Sequence, residues 1–102
     1  MPPAVSLAAY RVVQEALTNA VKHAAGSRVT VQLAESEGAL LATVEDYAPQ
    51  AAPPGEQVAG HGLAGMRERV AGLGGEVSAG PAGDHPGWRV RARIPYGGEG
   101  GA

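Results

Sequence analysis

A carboxylate, an amide and an imidazole recur along one side of the first predicted helix. Glu15, Asn19 and His23 stand four residues apart, so they form a single stripe on a helix that turns about 100° per residue. The stripe follows the border between the apolar and polar faces, where burial without a partner would cost about 1–3 kcal/mol for each group. Two interpretations stay open: a hydrogen-bonded helix edge, or a wall that holds a hydrated metal ion and phosphate groups.

A second candidate is Asp46, at the end of a predicted strand. It shares its alternation with Leu40, Ala42 and Val44, so its carboxylate is expected on the core side of the sheet. Buried carboxylates are rare unless they are paired, and the exocyclic amine of a nucleotide base is a suitable donor. The other interpretation is an aspartate that caps the following loop.

The third candidate is a turn, Gly60-His61-Gly62, directly before a predicted helix. A helix N-terminus with bare glycines exposes N–H groups to an anion such as phosphate. The segment before it, 47–59, is long for a connection in a compact domain, and such loops are often functional or mobile. A plain flexible turn is the commoner meaning of this pattern, with the histidine in solvent.

These candidates belong to a predicted order of helix, two strands, loop, helix and two strands. Apolar residues at helical spacing predict the first helix over about 5–25 and the second from Gly62 or Leu63 to Leu73. Alternation predicts strands near 29–33, 40–46, 76–79 and 88–94. This order predicts an α/β (α+β) fold, a two-layer sandwich of a mixed sheet with the helices on one face.

Composition limits the classes of function. The 102 residues fit one domain, which we assign to 1–96, with the glycine-rich segment 97–102 as a disordered tail. The absence of cysteine excludes thiol catalysis and cysteine-based zinc sites and suits a reducing compartment. A net charge of −2 and the lack of a long apolar run predict no nucleic-acid or direct membrane contact. We expect a cytoplasmic location, with any membrane anchor of a parent protein outside this sequence.

Taken together, the segments resemble a known family of ATPase domains. Residues 10–24 are similar to its N-box, Asp46 to the aspartate of its first glycine box, and residues 60–70 to its second glycine box. The similarity continues through 73–75 and the strand that ends at Pro95. DNA gyrase, MutL, the heat-shock chaperone of the same class and histidine kinases share this domain, whose fold is the Bergerat sandwich. The two long motifs most resemble histidine kinases of the nitrate-sensor type.

The resemblance implies the catalytic domain of a protein histidine kinase, with ATP and Mg²⁺ as cofactors. Asn19 would coordinate Mg²⁺, and Glu15 would orient a metal-bound water or assist proton transfer. Lys22 and His23 would contact phosphate. Asp46 would accept a hydrogen bond from the adenine amino group.

The second glycine box implies a lid over the nucleotide. Gly60 and Gly62 would let the lid backbone approach the phosphates, and Leu63 and Met66 would help to shape the pocket. The chemistry would be positioning and electrostatic stabilisation of phosphoryl transfer, to a histidine outside this chain. The implied partners are the phosphoacceptor and dimerisation helices of the parent kinase and a response regulator, in two-component signal transduction.

The sequence departs from the family pattern in the first glycine box. That box usually reads Asp-x-Gly-x-Gly, whereas Asp46 is followed here by Tyr47, Ala48 and Pro49, which stiffen a place that usually bends. The family generally has an edge strand before the first helix, and we expect this sequence to lack it. Two alternatives stay open: a degenerate nucleotide-binding regulatory module, and a serine kinase of the anti-sigma-factor type.

Overall fold

The structure, a computed structural model, describes residues 1–23, 26–48 and 61–96, without the side chains of residues 23 and 61–63. Within this part the elements follow the predicted order. They are α1 (Pro3–His23), β1 (Val29–Ser36), β2 (Ala39–Asp46), α2 (His61–Gly72), β3 (Glu76–Pro81) and β4 (Trp88–Pro95). The predicted loop end Gly60 and the predicted tail 97–102 lie outside the described residues. Neither described helix is long and apolar enough to cross a membrane.

The first helix packs through a face of small apolar residues. Val5, Ala8, Val12 and Ala16 are buried and recur every three or four positions, which places them on one side of α1. Alanine side chains let the helix lie close to the sheet, where α1 crosses β2 and β4. The helix therefore brings its C-terminal half next to the end of β2.

The four strands form one sheet in the order β1-β2-β4-β3. The two-layer α+β class is confirmed, but the expectation of a mixed sheet is wrong for the described strands, because every neighbouring pair is antiparallel. The reason lies in the path of the chain after β2. It passes through α2 to the far edge, so β3, which runs in the same direction as β2, pairs with β4 instead of β2.

The core lies between the sheet and the two helices. Its three largest fully buried side chains are Ile94, Val12 and Val70, which come from β4, α1 and α2. The second helix contributes Met66 and Val70 and packs against β3 and α1. A tight turn after α2 is closed by the Gly75 N–H, which donates to the Val70 carbonyl (2.9 Å).

The edge strand β1 is mostly uncovered. Val31 is 42% and Leu33 61% exposed, although both carry large apolar side chains. Leu33 also lines an open groove of about 630 Å³ with Met1 and Tyr10 of the chain start. Among the described residues no element covers these side chains, because α1 lies mainly over β2 and β4.

Candidate active site

Asn19 and Asp46, which are 27 positions apart in the sequence, line the same small pocket. Asn19 comes from α1, and Asp46 is the last residue of β2. The described walls leave about 10 Å³, roughly the room that one water molecule needs. The other lining residues are Ala16, Ala20, Val44, Ala79, Trp88 and Val90. A helix amide and a strand carboxylate therefore face one small, mainly apolar space.

The position of Asp46 follows from the alternation of β2. Leu40, Ala42 and Val44 are buried on the helix-facing side of the sheet, and Asp46 continues their series at 6% exposure. This confirms the predicted direction of the carboxylate. One oxygen, Oδ1, accepts a hydrogen bond from the backbone N–H of Ala48 (3.2 Å).

The bond to Ala48 means that Asp46 also caps the turn after β2, as the alternative interpretation expected. A carboxylate can accept about four hydrogen bonds, so this cap leaves Asp46 able to accept others. The two interpretations are compatible, because the same side chain caps the turn and lines the pocket.

The polar stripe of α1 divides between two neighbouring spaces. Asn19 is half-buried in the pocket of Asp46, whereas Glu15, also half-buried, lines a cleft between α1 and α2 beside Gly65 and Met66. Residues four apart on a helix differ in direction by about 40°, which accounts for the separation. Lys22 is exposed one turn further along.

The predicted lid residues are described only in part. Gly62 and Leu63 lie in the first turn of α2, which begins one residue before the predicted start. Met66 is 5% exposed and belongs to the hydrophobic core as well as to the cleft beside Glu15. Gly60 and the side chain of His23 lie outside the described residues, so their predicted contacts with phosphate stay predictions.

Trp88 is a pocket residue that sequence reasoning missed. The alternation of β4 predicts only that it shares a face with Val90, and it is buried at 7% exposure. The sheet register pairs it directly with Asp46, so the aromatic ring belongs to the wall that carries the carboxylate. The signal that reveals it is the β2–β4 register, which no local pattern contains.

A second polar cluster adjoins the end of β2. Glu45 Oε1 lies 2.7 Å from His85 Nε2 and accepts a hydrogen bond from Arg89 Nη2 (3.0 Å). Arg89 Nη2 also donates to Asp84 Oδ1 (2.8 Å). The His85 ring stacks on Tyr47, with ring centres 4.1 Å apart and planes at 20°. None of these contacts was predicted from the sequence.

The electrostatics of this cluster follow from its hydrogen bonds. The bonds from His85 and then Arg89 lower the pKa of Glu45 below its ordinary value of 4.5. The bond to Glu45, followed by one to the Pro86 carbonyl, raises the pKa of His85 above 6.5. Both shifts favour an ionised carboxylate beside an imidazolium.

Three groups of this cluster are of metal-ligand type. Glu45, Asp84 and His85 offer ligand atoms within 4.8 Å of one another. However, the guanidinium of Arg89 contacts both carboxylates, at 3.0 Å and 2.8 Å. A cation would have to displace that positive charge, so we interpret the cluster as an ion-pair network.

Comparison with known proteins identifies the family to which this chain belongs. The family of histidine kinase-, DNA gyrase B- and HSP90-like ATPases matches residues 4–98. The chain belongs to this ATPase family. Within the family, the chain resembles histidine kinases, as its individual relatives indicate.

Two curated relatives are histidine kinases. The signal transduction histidine-protein kinase/phosphatase UhpB of Salmonella typhimurium is 46% identical over 69 residues, which are 68% of this chain and 14% of that protein. The sensor histidine kinase YxjM of Bacillus subtilis is 36% identical over 77 residues, 76% of this chain and 18% of that protein. The ATPase domain described here thus spans less than a fifth of the length of either relative.

A solved structure supports the same assignment. The histidine kinase domain from the Erythrobacter litoralis EL346 blue-light activated histidine kinase superposes with a TM-score of 0.74 at 28% identity. The match covers 93% of this chain and 46% of that one. The helices and sheet that form the pocket therefore share the fold of a histidine kinase domain.

Proposed function

We propose that this domain binds ATP together with Mg²⁺ and positions the γ-phosphate for transfer to a histidine on separate phosphoacceptor helices. The observation that carries the proposal is the meeting of Asn19 and Asp46 at one pocket, in a chain of the histidine-kinase ATPase type. The carboxylate and the amide come from different elements but line the same pocket. A single ligand would therefore reach both.

In this proposal Asp46 recognises the base. Its buried carboxylate accepts a hydrogen bond from the adenine amino group, and Val44, Trp88 and Val90, which line the same pocket, would offer apolar surface beside the base. A hydrogen bond to a charged group contributes about 1.5–3 kcal/mol. This bond would also discriminate against guanine, whose corresponding position carries a carbonyl oxygen.

The α1 edge would hold the metal and the phosphates. The amide oxygen of Asn19 and the carboxylate of Glu15 are the hard oxygen donors that suit Mg²⁺, and both side chains are half-buried. When bound, the ion would neutralise charge on the phosphates. Asn19 would coordinate it, and Glu15 would orient a metal-bound water or assist proton transfer.

The remaining phosphate contacts would come from the end of α1 and the start of α2. Lys22 is exposed at the last turn of α1 and offers a positive charge, with His23 as its neighbour. Gly60 and Gly62 would let the backbone of the lid approach the phosphates. Leu63 and Met66 would shape the pocket on the side of α2.

The proposed partners are the phosphoacceptor and dimerisation helices of the parent kinase and, after them, a response regulator. We also propose a cytoplasmic location, where ATP is available and a chain without cysteine needs no oxidising compartment. These proposals rest on the kinase type of the relatives, which are much longer than this chain.

A degenerate regulatory module is the second candidate function. The observation that favours it is the replaced glycine box, in which Tyr47 is held between other side chains rather than free to bend. Such a module would bind a partner or a nucleotide without phosphoryl transfer. The same experiment separates the two candidates.

The test is phosphoryl transfer from γ-labelled ATP to the phosphoacceptor helices of the parent kinase, added as a separate chain. We expect label on those helices that is labile to acid and stable to alkali, as for phosphohistidine. The domain alone should retain none, because His23, His61 and His85 do not match a phosphoacceptor. A folded Asn19→Ala variant should transfer no label. Nucleotide binding without transfer would favour the regulatory module instead.

A further inference from the structure

We propose that the loop between β3 and β4, residues 82–87, clamps the end of β2, and that His85 is a positioning residue for Asp46. The part played by Asp46 in nucleotide recognition rests on the proposed function. The clamp itself rests on three sets of contacts among described residues.

The first contacts join His85 to both neighbours of Asp46. Nε2 of His85 lies 2.7 Å from Oε1 of Glu45, the residue before Asp46. The imidazole ring stacks at 4.1 Å on Tyr47, the residue after it. One side chain therefore contacts the side chains of both residues that flank Asp46.

The second contact is a close approach of backbone to backbone. A Cβ atom at position 87 would lie 2.0 Å from the carbonyl oxygen of Asp46, so only glycine allows the loop to lie this near. Gly87 has a φ of 132°, and its carbonyl accepts the N–H of Ala82 (3.0 Å), which closes the loop on itself. The loop is thus packed directly on the peptide of Asp46.

The third set of contacts fixes Tyr47 and the base of the loop. The Tyr47 N–H donates to the Arg28 carbonyl (3.0 Å), and the Arg28 guanidinium lies 4.3 Å from the centre of the Tyr47 ring. Arg89 donates to the Ala82 carbonyl (2.9 Å) as well as to Glu45. Tyr47 stands in the first glycine box, at a place that usually bends in this family. The contacts with Arg28 and His85 hold it in position.

The clamp affects Asp46 through the turn that follows it. The Ala48 N–H donates to Asp46 Oδ1 (3.2 Å), and this bond orients the carboxylate only while residues 46–48 keep their turn. Tyr47 is the central residue of that turn. Loss of the stack with His85 would leave Tyr47 with its Arg28 contacts alone, and the turn would hold the carboxylate in the pocket less firmly.

The state of the clamp depends on protonation of His85. Nδ1 lies 2.7 Å from the Pro86 carbonyl and Nε2 lies 2.7 Å from Glu45, and both partners are acceptors. The ring satisfies both only when each nitrogen carries a proton. The charged groups around it are Glu45 of β2, Asp84 of the loop and Arg89 of β4, with Arg28 beyond the Tyr47 ring. Rising pH removes one of the two bonds and loosens the clamp.

The experiment compares His85→Ala and His85→Phe with the parent chain by amide hydrogen exchange, measured by NMR without nucleotide. We expect His85→Ala to lower the protection of the Tyr47 and Ala48 amides, which donate to the Arg28 carbonyl and to Asp46 Oδ1. His85→Phe keeps a ring on Tyr47 and should lose less protection. The matched control is Tyr96→Phe, which removes a comparable bond to Glu35 (2.6 Å) and should leave both amides unchanged.

Affinity for Mg-ATP is measured on the same four proteins. We expect His85→Ala to bind about three- to tenfold more weakly, the range of one partly lost hydrogen bond. Parent affinity should fall as His85 loses its proton, whereas His85→Phe should show no such dependence. If His85→Ala does not fold, His85→Phe carries the comparison.

The two measurements separate the clamp from the proposed function. Unchanged protection of the Tyr47 and Ala48 amides in the His85 variants overturns the clamp. Reduced protection with unchanged affinity overturns the positioning role. If the folded parent binds no nucleotide, the proposed function fails, while the exchange rates alone still decide whether the loop clamps the turn.

Discussion

Asp46 and Trp88 are direct partners in the register of β2 and β4, and both line the pocket that Asn19 borders from α1. The carboxylate and the indole are held by paired backbone positions on the two central strands of the sheet. Asn19 is fixed by a helix whose alanine-rich face packs on the same two strands. The pocket is therefore built on rigid elements, as a site that positions a nucleotide requires.

The first prediction uses Trp88 as a reporter. It is the one tryptophan of the sequence and it lines the pocket, so ATP binding should change its emission in a saturable way. Fluorescence titration with Mg-ATP measures this, and Asn19→Ala should abolish the change. Binding seen by calorimetry without any change in Trp88 emission would place the nucleotide elsewhere.

The direction of Asp46 was predictable because strand alternation is a local property. Leu40, Ala42 and Val44 set the buried side, and Asp46 follows at the same parity. The half-buried position of Asn19 was predictable for the same reason, from the helical period of α1. What these periods do not contain is distance between elements, so the meeting of the two side chains came only from the resemblance.

The cluster around His85 shows where sequence reasoning ended. Glu45 faces Arg89 because β2 and β4 pair with that register, and His85 reaches Glu45 because the loop folds back through Gly87. Neither the register of strands far apart in sequence nor the path of a short loop follows from hydrophobic pattern. The prediction of a mixed sheet was wrong for a similar reason, because the position of β3 in the sheet depends on the crossover through α2.

The second prediction concerns pH. The folded pKa of His85 is raised above its ordinary 6.5 by its bond to Glu45, so its stabilising contribution is complete below 6.5 and is lost as pH rises through the folded pKa. The pKa of Glu45 is lowered from 4.5, so its contribution is complete above 4.5 and is lost as pH falls through its folded pKa. The pair should therefore stabilise the fold most between these values.

Melting temperature measured against pH tests this for the parent and His85→Ala. The difference between the two proteins should be largest between pH 4.5 and 6.5 and should shrink on either side. Tyr96→Phe serves as the reference variant and should track the parent through that window. A difference that stays constant across the whole range would contradict the proposed ionisation of the pair.

The third prediction concerns the turn after α2. A Cβ atom at position 75 would lie 2.2 Å from the carbonyl oxygen of Arg93 and 2.9 Å from Cγ1 of Val70. Gly75→Ala should therefore destabilise the fold by about 1–3 kcal/mol, as overpacking does. For a domain of this size the melting temperature should fall by roughly 5–20 °C.

Gly72→Ala is the matched control for Gly75→Ala. A Cβ atom at position 72 would meet nothing within 4 Å, so the same chemical change should leave the melting temperature equal or slightly higher. Equal stability of the Gly75→Ala variant and the parent would show that β4 and α2 are packed less closely than described.

The most direct test of the nucleotide site is calorimetry of Mg-ATP binding to the parent, Asn19→Ala and Asp46→Asn. Asp46→Asn keeps an oxygen for the Ala48 N–H but presents no carboxylate to the adenine amino group, so it changes recognition with little effect on the turn. Thr18→Ala, at the exposed neighbour of Asn19, is the control. We predict that the parent and the control bind ATP and that each site variant loses at least about tenfold in affinity. Equal affinity of folded Asp46→Asn and parent, or no binding by the folded parent, would contradict the assignment of this pocket to ATP.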